Sequence, residues 1–445
     1  CLAHMSGNEM RYIKEAFDTN CVVPLGPNVN GFEDDLKRFV TSSCSSYKDV
    51  VSHRNEEYPQ TILPHENNPE SLWRDPIKGL EDKHVVALCS GTAAVHLALI
   101  ALGVEAGDEV ICQSFTFCAS SHPVTYQGAK PVFVDSEKET WNMDPVLLEE
   151  AIKDRIAKTG KKPKAIIVVY LYGMPAKIKE ILAIADKYDI PIVEDAAEGL
   201  GSRYDGQVCG TFGEYGVLSF NGNKMITTSG GGALICPNEA ARNDVMFYAT
   251  QAREGYPYYQ HEKIGYNYRM SNVCAGIGRG QMTVLDEHIA HHRHIAHLYE
   301  EAFKKIVGID FHANPSSEYD SNYWLNTITI DPSIKVRGQE NAYKTTVKGA
   351  VGGAAGVIHA VDSAHTDCEP NTNVEAMRVF LDKANIESRP LWKPMHKQPC
   401  YKDCPAYLNG VSESLFSKGM CLPSGPLVTD DDVRYIVETI QAAIE

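Results

Sequence analysis

The sequence predicts an α/β protein, a mostly parallel sheet covered by helices on both faces, followed by a smaller α+β domain. Two observations lead there. From residue 84 onward, short apolar runs alternate with helical segments, the pattern of repeated βαβ units. Several runs, Ala165–Tyr170 among them, are apolar throughout instead of at every second position, as a strand buried on both faces must be. With 445 residues, 43% of them hydrophobic and 22% charged, the chain is long enough for a large and a smaller domain and too apolar to be disordered.

The elements follow in order. Residues 1–35 are expected to fold back near the active site. His84–Cys89 is a short apolar strand, and Ala93–Leu102, apolar all round, is a buried helix. Glu109–Gln113 reads as a strand, Thr116–Gln127 as a helix and Pro131–Asp135 as a strand. Asp144 and Pro145 open the next helix, Asp as the N-cap and Pro at the first helical position. Ala165–Tyr170 is strongly β-prone, Ala176–Tyr188 helical, and Ile192–Asp195, Gly216–Phe220 and Gly232–Cys236 are strands. After about residue 273 the pattern changes. One long helix, roughly Val273–Ile306, leads to strands near Trp324–Ile330 and a closing helix at Asp430–Ile444. The expected division is a large domain over residues 1–272 and a smaller one over 273–445. Two stretches interrupt it, the polar 42–82 and the small-residue-rich 336–371. Loops of that length are functional lids or insertions.

A net charge of −16 argues against nucleic acid as a partner, since phosphate contacts need clustered Lys and Arg. The 13 cysteines are scattered without a framework spacing. Those in apolar runs, Cys89, Cys112 and Cys236, read as small buried hydrophobes of a reducing compartment. Cys400 and Cys404 lack a second ligand pair. His288, His291, His292, His294 and His297 read as a solvated helix face, so no metal is expected. No run approaches the ~18 apolar residues of a membrane span, no signal peptide opens the chain, and the cytoplasm is the expected compartment.

The chemistry centres on Asp195 and Lys224. Asp195 ends the run Pro191-Ile-Val-Glu-Asp, a buried strand delivering a carboxylate at its C-terminal end, where ligands gather in such sheets. Lys224 ends Ser219-Phe-Asn-Gly-Asn-Lys, a strand end followed by a polar turn carrying one amine. A carboxylate that keeps a pyridine nitrogen protonated and a lysine that forms an imine are the two groups pyridoxal phosphate needs. A buried carboxylate also costs several kcal/mol without a cationic or donating partner. Ser90-Gly91-Thr92, between a strand and a helix start, offers an anion site, although the same tripeptide caps helices that bind nothing. Ser219 could reach the same phosphate. Phe117 could stack on a flat ring or fill the core. Glu198 could face the pocket that Asp195 enters, while Glu194 points to the other face. Gly230, Gly231 and Gly232 allow close backbone approach.

Taken in order, these pieces resemble the DegT family of fold type I nucleotide-sugar aminotransferases. The resemblance runs through Gly26-Pro27, Ser90-Gly-Thr-Ala-Ala94, Gly107-Asp-Glu-Val110, Phe115-Thr-Phe117, Val193-Glu-Asp-Ala-Ala197, Ser219–Lys224, Gly265-Tyr-Asn-Tyr-Arg269, Pro394-Met-His396 and Leu422-Pro423. It implies that Lys224 bonds the cofactor and shuttles the proton, and that Asp195 binds the ring nitrogen. Phe117 then stacks on the ring, and Glu198 sits beside the ring hydroxyl, where relatives carry Gln or His. Gly91, Thr92 and Ser219 hold the phosphate. Asn267, with Arg269 beside it, reaches the neighbouring subunit's phosphate on a loop surplus to its own core, which implies an obligate homodimer with shared sites. Arg389 and His396 line the sugar-nucleotide side. The implied reaction moves an amino group, with glutamate as donor, to a nucleotide-linked keto-sugar in amino-sugar and surface-polysaccharide biosynthesis. The opening His4–Glu9 and Ala16–Asn20 resemble members that aminate C4 of a UDP-linked 4-keto-6-deoxy-N-acetylhexosamine. The rival readings are a sugar dehydratase, which would carry His for Lys224, an aminotransferase of a non-sugar ring ketone, and a non-catalytic cofactor-binding regulator.

Overall fold

A computed structural model of the chain describes residues 3–42, 77–343 and 368–445. Most of the two stretches expected as insertions therefore lies outside the described residues.

In chain order, the strands of the first half are β1 (His84–Leu88), β2 (Glu109–Gln113), β3 (Lys130–Val134), β4 (Ala165–Val169), β5 (Ile192–Asp195), β6 (Arg203–Tyr204), β7 (Gln207–Val208), β8 (Tyr215–Ser219) and β9 (Gly232–Cys236). Those of the second half are β10 (Ile309–Phe311), β11 (Tyr319–Asp320), β12 (Asn326–Ile330), β13 (Arg389–Pro390), β14 (Ala406–Tyr407) and β15 (Gly419–Leu422). The large sheet runs β1-β9-β8-β5-β4-β2-β3-β14. Only β9 is reversed, antiparallel to both β1 and β8, so the carboxyl ends of the other seven strands share one edge.

Side-chain alternation explains the apolar runs. Ile166 and Val168 of β4 enter one core, and Ala165 and Ile167 enter the core on the opposite face. Helix Gly91–Ala101 is buried along nearly its whole length, as an all-round apolar helix must be. Ser90 caps it, its Oγ accepting the Ala93 N–H at 3.0 Å. Asp144 caps helix Pro145–Thr159 as the Asp-Pro pair implies, accepting from Val146 and Leu147.

A second sheet, β10-β12-β15-β13, is wholly antiparallel. It packs a third core with helices Leu285–Phe303, Thr372–Lys383 and Asp430–Ala443 through residues such as Tyr299, Met377 and Ile440. The two halves interlock. β14 extends the large sheet beside β3, and β11 pairs with β6. The N-terminal helices Glu9–Asp18 and Pro27–Thr41 lie against helix Asn272–Met282. No helix among the described residues is long and apolar enough to cross a membrane.

Several expectations are corrected. The long helix over 273–306 is two, Asn272–Met282 and Leu285–Phe303. The β-branched pair Thr283-Val284 breaks it. Their amides close three-residue turns on Gly280 and Gln281, and the Thr283 hydroxyl also donates to the Gly280 carbonyl. The region 116–127 holds a 3₁₀ turn, Cys118–Ser120, and a short helix, His122–Tyr126, because Pro123 is tolerated only in a helix's first turn. The histidines of helix Leu285–Phe303 do not form a solvated face. His288 and His292 are buried against the carbonyls of Met225 and Tyr323, and burial lowers their pKa values to about 4 and about 3. Cys89 is exposed, while Cys112 and Cys236 are buried.

Candidate active site

Four features meet at the carboxyl edge of the large sheet. The first is Asp195, last residue of β5 and buried. Its Oδ2 accepts the Ser120 hydroxyl at 2.6 Å and its Oδ1 accepts the Ala197 N–H at 3.2 Å. Burial raises its pKa, offset in part by those donors and by the charge of Lys224. A carboxylate left with two neutral donors and a raised pKa is short of a cation.

The second is Glu198, also buried. Its Oε2 accepts the Tyr172 N–H at 2.8 Å, and its Oε1 lies 3.4 Å from Lys224 Nζ. Burial pushes its pKa up to about 7 despite that lysine. Glu194 serves the fold from the opposite face, as expected. It accepts from Gly210 at 2.7 Å, Gly213 at 2.5 Å and the Tyr170 hydroxyl.

The third is Lys224, in the turn after β8. Its Nζ lies 4.0 Å from the Trp324 ring centroid.

The fourth is the start of helix Gly91–Ala101. Its first turn leaves the Gly91 and Thr92 N–H groups without intrahelical acceptors. Ser219 ends β8 alongside. A Cβ added to Gly91 would lie 3.0 Å from Ser219 Cβ, and one on Gly232 would lie 2.3 Å from the Ser90 carbonyl carbon. Only glycine at 232 lets β9 pass this close beneath the helix start.

These residues fit pyridoxal phosphate. A buried carboxylate lacking a cation, an amine and a helix N-terminus cradle lie on one edge, matching a pyridinium, an aldehyde and a phosphate.

The remaining expected residues are more dispersed. Phe117 follows β2 and is 53% exposed, its ring 5.4 Å from that of Trp392. His396 is brought to the end of β2, where Nδ1 meets Ser114 Oγ at 2.6 Å and Nε2 meets Glu413 at 3.1 Å. Arg389 is exposed on β13, its guanidinium on Glu387 at 2.7 Å. It makes no contact with the Asp195–Lys224 cluster among the hydrogen bonds and ion pairs of the described residues.

The loop Gly265–Ser271 is not surplus to its own chain. Tyr268 carbonyl accepts the Cys89 N–H at 2.8 Å, and Tyr266 and Tyr268 pack against His96. Arg269 is tied into its own chain, its guanidinium on Glu33 at 2.6 Å and on the Ala87 carbonyl at 2.9 Å. Asn267, between the two tyrosines, is exposed.

Four residues of the site escape sequence reasoning: Ser120, Tyr172, Trp324 and Trp392. Tyr172 sits at φ 55°, a strained setting for a non-glycine residue. It is fixed by its N–H on Glu198 and by its hydroxyl oxygen, which accepts the Trp392 N–H at 2.9 Å. Phe117, Tyr172 and Trp324 each meet the ring of Trp392, and Trp324 carries the cluster to Lys224. Tryptophan is scarce, four in the whole chain, and two standing here was the available signal.

The DegT/DnrJ/EryC1/StrS aminotransferase family matches residues 77–351 and 357–441. The chain is 40% identical to EpsN of Bacillus subtilis (strain 168), named as a pyridoxal phosphate-dependent aminotransferase, over 98% of this chain and 93% of the relative. It is 33% identical to the GDP-perosamine synthase of Escherichia coli O157:H7 over 82% of this chain and 87% of the relative. It is 35% identical to the UDP-2-acetamido-2-deoxy-3-oxo-D-glucuronate aminotransferase of Pseudomonas aeruginosa over 58% of this chain and 71% of the relative. Among solved structures, a DegT DnrJ EryC1 StrS aminotransferase from Brucella abortus superposes with a TM-score of 0.75 at 24% identity, covering 98% of this chain and 95% of that one. DesV of S. venezuelae does so with a TM-score of 0.73 at 22% identity, covering 98% and 94%. At these identities the superpositions speak for the fold.

Proposed function

Because the chain belongs to the DegT/DnrJ/EryC1/StrS aminotransferase family, and is thus a pyridoxal phosphate-dependent sugar aminotransferase, we propose that it aminates C4 of a UDP-linked 4-keto-6-deoxy-N-acetylhexosamine, with glutamate as donor. The observation that carries the catalytic assignment is the convergence of Asp195, Glu198 and Lys224 on one edge of the sheet. When bound, pyridoxal phosphate supplies an electron sink that makes the donor's Cα proton removable.

The chain's own residues do the rest. Asp195, oriented by Ser120, faces the ring nitrogen and keeps its proton there. Lys224 Nζ takes the proton from the donor's Cα and returns it on the other side of the transfer. Glu198 stands beside the ring hydroxyl and Lys224. Gly91, Thr92 and Ser219 anchor the phosphate, and Asn267 completes that anchor for a second subunit of a homodimer. Phe117 supports the cofactor ring. Trp392 and the aromatic rings beside it offer apolar faces of the kind that line a sugar or base pocket. His396 and Arg389 flank the approach used by the nucleotide.

The test is direct. The protein, loaded with cofactor, is incubated with glutamate and a panel of UDP-, GDP- and dTDP-linked 4-keto and 3-keto sugars, because relatives bear both GDP and UDP in their names. Release of 2-oxoglutarate and a one-amine mass change on the UDP 4-keto substrate are expected. Turnover confined to a 3-keto or GDP-linked sugar, or to a ring ketone without a nucleotide, would replace the substrate assignment.

A further inference from the structure

An aminotransferase frees its lysine when the amino donor takes its place and must recapture it later in the cycle. Where that free amine waits affects each turnover. Here Lys224 Nζ rests 4.0 Å from the Trp324 ring centroid and 3.4 Å from Glu198 Oε1, and its side chain is only 13% exposed. The face of an indole attracts an ammonium electrostatically, most strongly where water is excluded.

Trp324 is held for this contact by the lysine's own turn. Its indole N–H donates to the carbonyl of Asn223, the residue before Lys224, at 2.7 Å. Its backbone N–H donates to Asn322 Oδ1 at 2.8 Å, and Asn322 Nδ2 donates to the carbonyls of Glu198 at 2.8 Å and Leu200 at 2.9 Å. One asparagine thus registers the tryptophan against the segment that carries Glu198. Gly173 admits it, because a Cβ there would lie 2.0 Å from Asn322 Oδ1.

We propose that Trp324 is a positioning residue for Lys224: its indole face, together with the Glu198 carboxylate, is the resting place of the ε-amino group whenever it is not bonded to the cofactor. The proposal rests on Lys224 being the lysine that bonds pyridoxal phosphate. It explains why a bulky aromatic from the chain's second half is buried against the turn that presents this amine.

Two substitutions separate the ring face from the rest of the side chain. Trp324→Phe keeps an aromatic face but loses the indole N–H, and Trp324→Leu loses both. Cofactor-free protein is mixed with pyridoxal phosphate, and the borohydride-fixed adduct on Lys224 is followed by rapid quench and mass spectrometry. Cofactor affinity is measured separately in a Lys224→Ala background. Trp324→Leu should slow capture about tenfold and Trp324→Phe about twofold to threefold. In the Lys224→Ala background neither change at 324 should alter affinity, since no amine is left to hold.

Equal slowing by Phe and Leu would assign the effect to the hydrogen bond with Asn223 and overturn the proposal. So would a loss of affinity in the Lys224→Ala background matching that in its presence. Should Trp324→Leu not fold, Trp324→Phe alone decides, and a tenfold loss there is the overturning result. Failure of the underlying assignment looks different: the adduct on the unsubstituted protein would form on another lysine.

Discussion

Asp195 and Glu198 are both buried and both held above the usual carboxyl range by burial, yet they face different tasks. Among the described residues the hydrogen-bond donors to Asp195 are neutral, Ser120 and Ala197, a setting suited to a cationic ligand. Asp195→Asn keeps one oxygen for the Ala197 N–H and turns its NH2 toward the Ser120 hydroxyl oxygen, but it cannot hold a ring proton. It should lower kcat by about 10² to 10³ while leaving the thermal midpoint of the cofactor-free protein unchanged or raised. Near-normal transamination by this variant would sink the placement of the cofactor. Glu198 makes a pH prediction. Below about pH 4.5 it is protonated folded and unfolded alike, so its burial costs little. As the pH rises toward 7 the unfolded chain gives up the proton first, and stability is lost through that window. Glu198→Gln should therefore stabilise the cofactor-free protein at pH 8 by about 1–3 kcal/mol, because an amide has no proton to lose. The gain should vanish near pH 4.5. Parallel stability curves for the two proteins would contradict this. Asp195 and Lys224 were legible in the sequence because a buried strand ending in a carboxylate and a polar turn bearing one lysine are local patterns. Ser120 and Trp324 were not, because each reaches the site from a distant segment through tertiary packing.

At the scale of elements, the turn that bears Lys224 is steadied from behind. Gln281, buried in helix Asn272–Met282, accepts the Thr227 N–H through Oε1 at 3.3 Å. Its Nε2 donates to the His4 carbonyl at 2.8 Å and to Glu9 Oε1 at 2.7 Å. His288 meets the Met225 carbonyl at 3.3 Å and His4 at 3.2 Å. The N-terminal segment thus reaches the lysine turn through two side chains. Gln281→Ala strands the buried Thr227 N–H and takes one donor from the Glu9 carboxylate, and should cost about 1–3 kcal/mol in chemical denaturation and weaken cofactor retention. A variant with unaltered stability would show that the network is dispensable. Element existence was legible from apolar runs and caps. The helix break at Thr283 and the burial of His288 were not, because histidine at helical spacing looks the same whether its nitrogens meet water or a carbonyl.

At the scale of the molecule, Asn267 is exposed on a loop that is otherwise locked to its own chain, a setting suited to a partner's site. On the proposed homodimer with shared sites, Lys224→Ala and Asn267→Ala chains should each lose activity alone and complement when mixed under subunit exchange. Half the dimers would be mixed and each would hold one intact site, so activity should recover to about a quarter of wild type. Demonstrated exchange without recovery would mean that each subunit completes its own site. The pairing of β14 with β3 has a consequence for how the chain is made. Residues 130–134 leave the ribosome roughly 270 residues before 406–407, which at about 5–20 residues per second is a wait of roughly 15–55 s. Throughout that interval the nascent sheet presents an unpaired apolar edge, a template for strands of other chains. Synthesis of this protein therefore leaves that edge open from before Asp195 and Lys224 are made until residues 406–407 arrive.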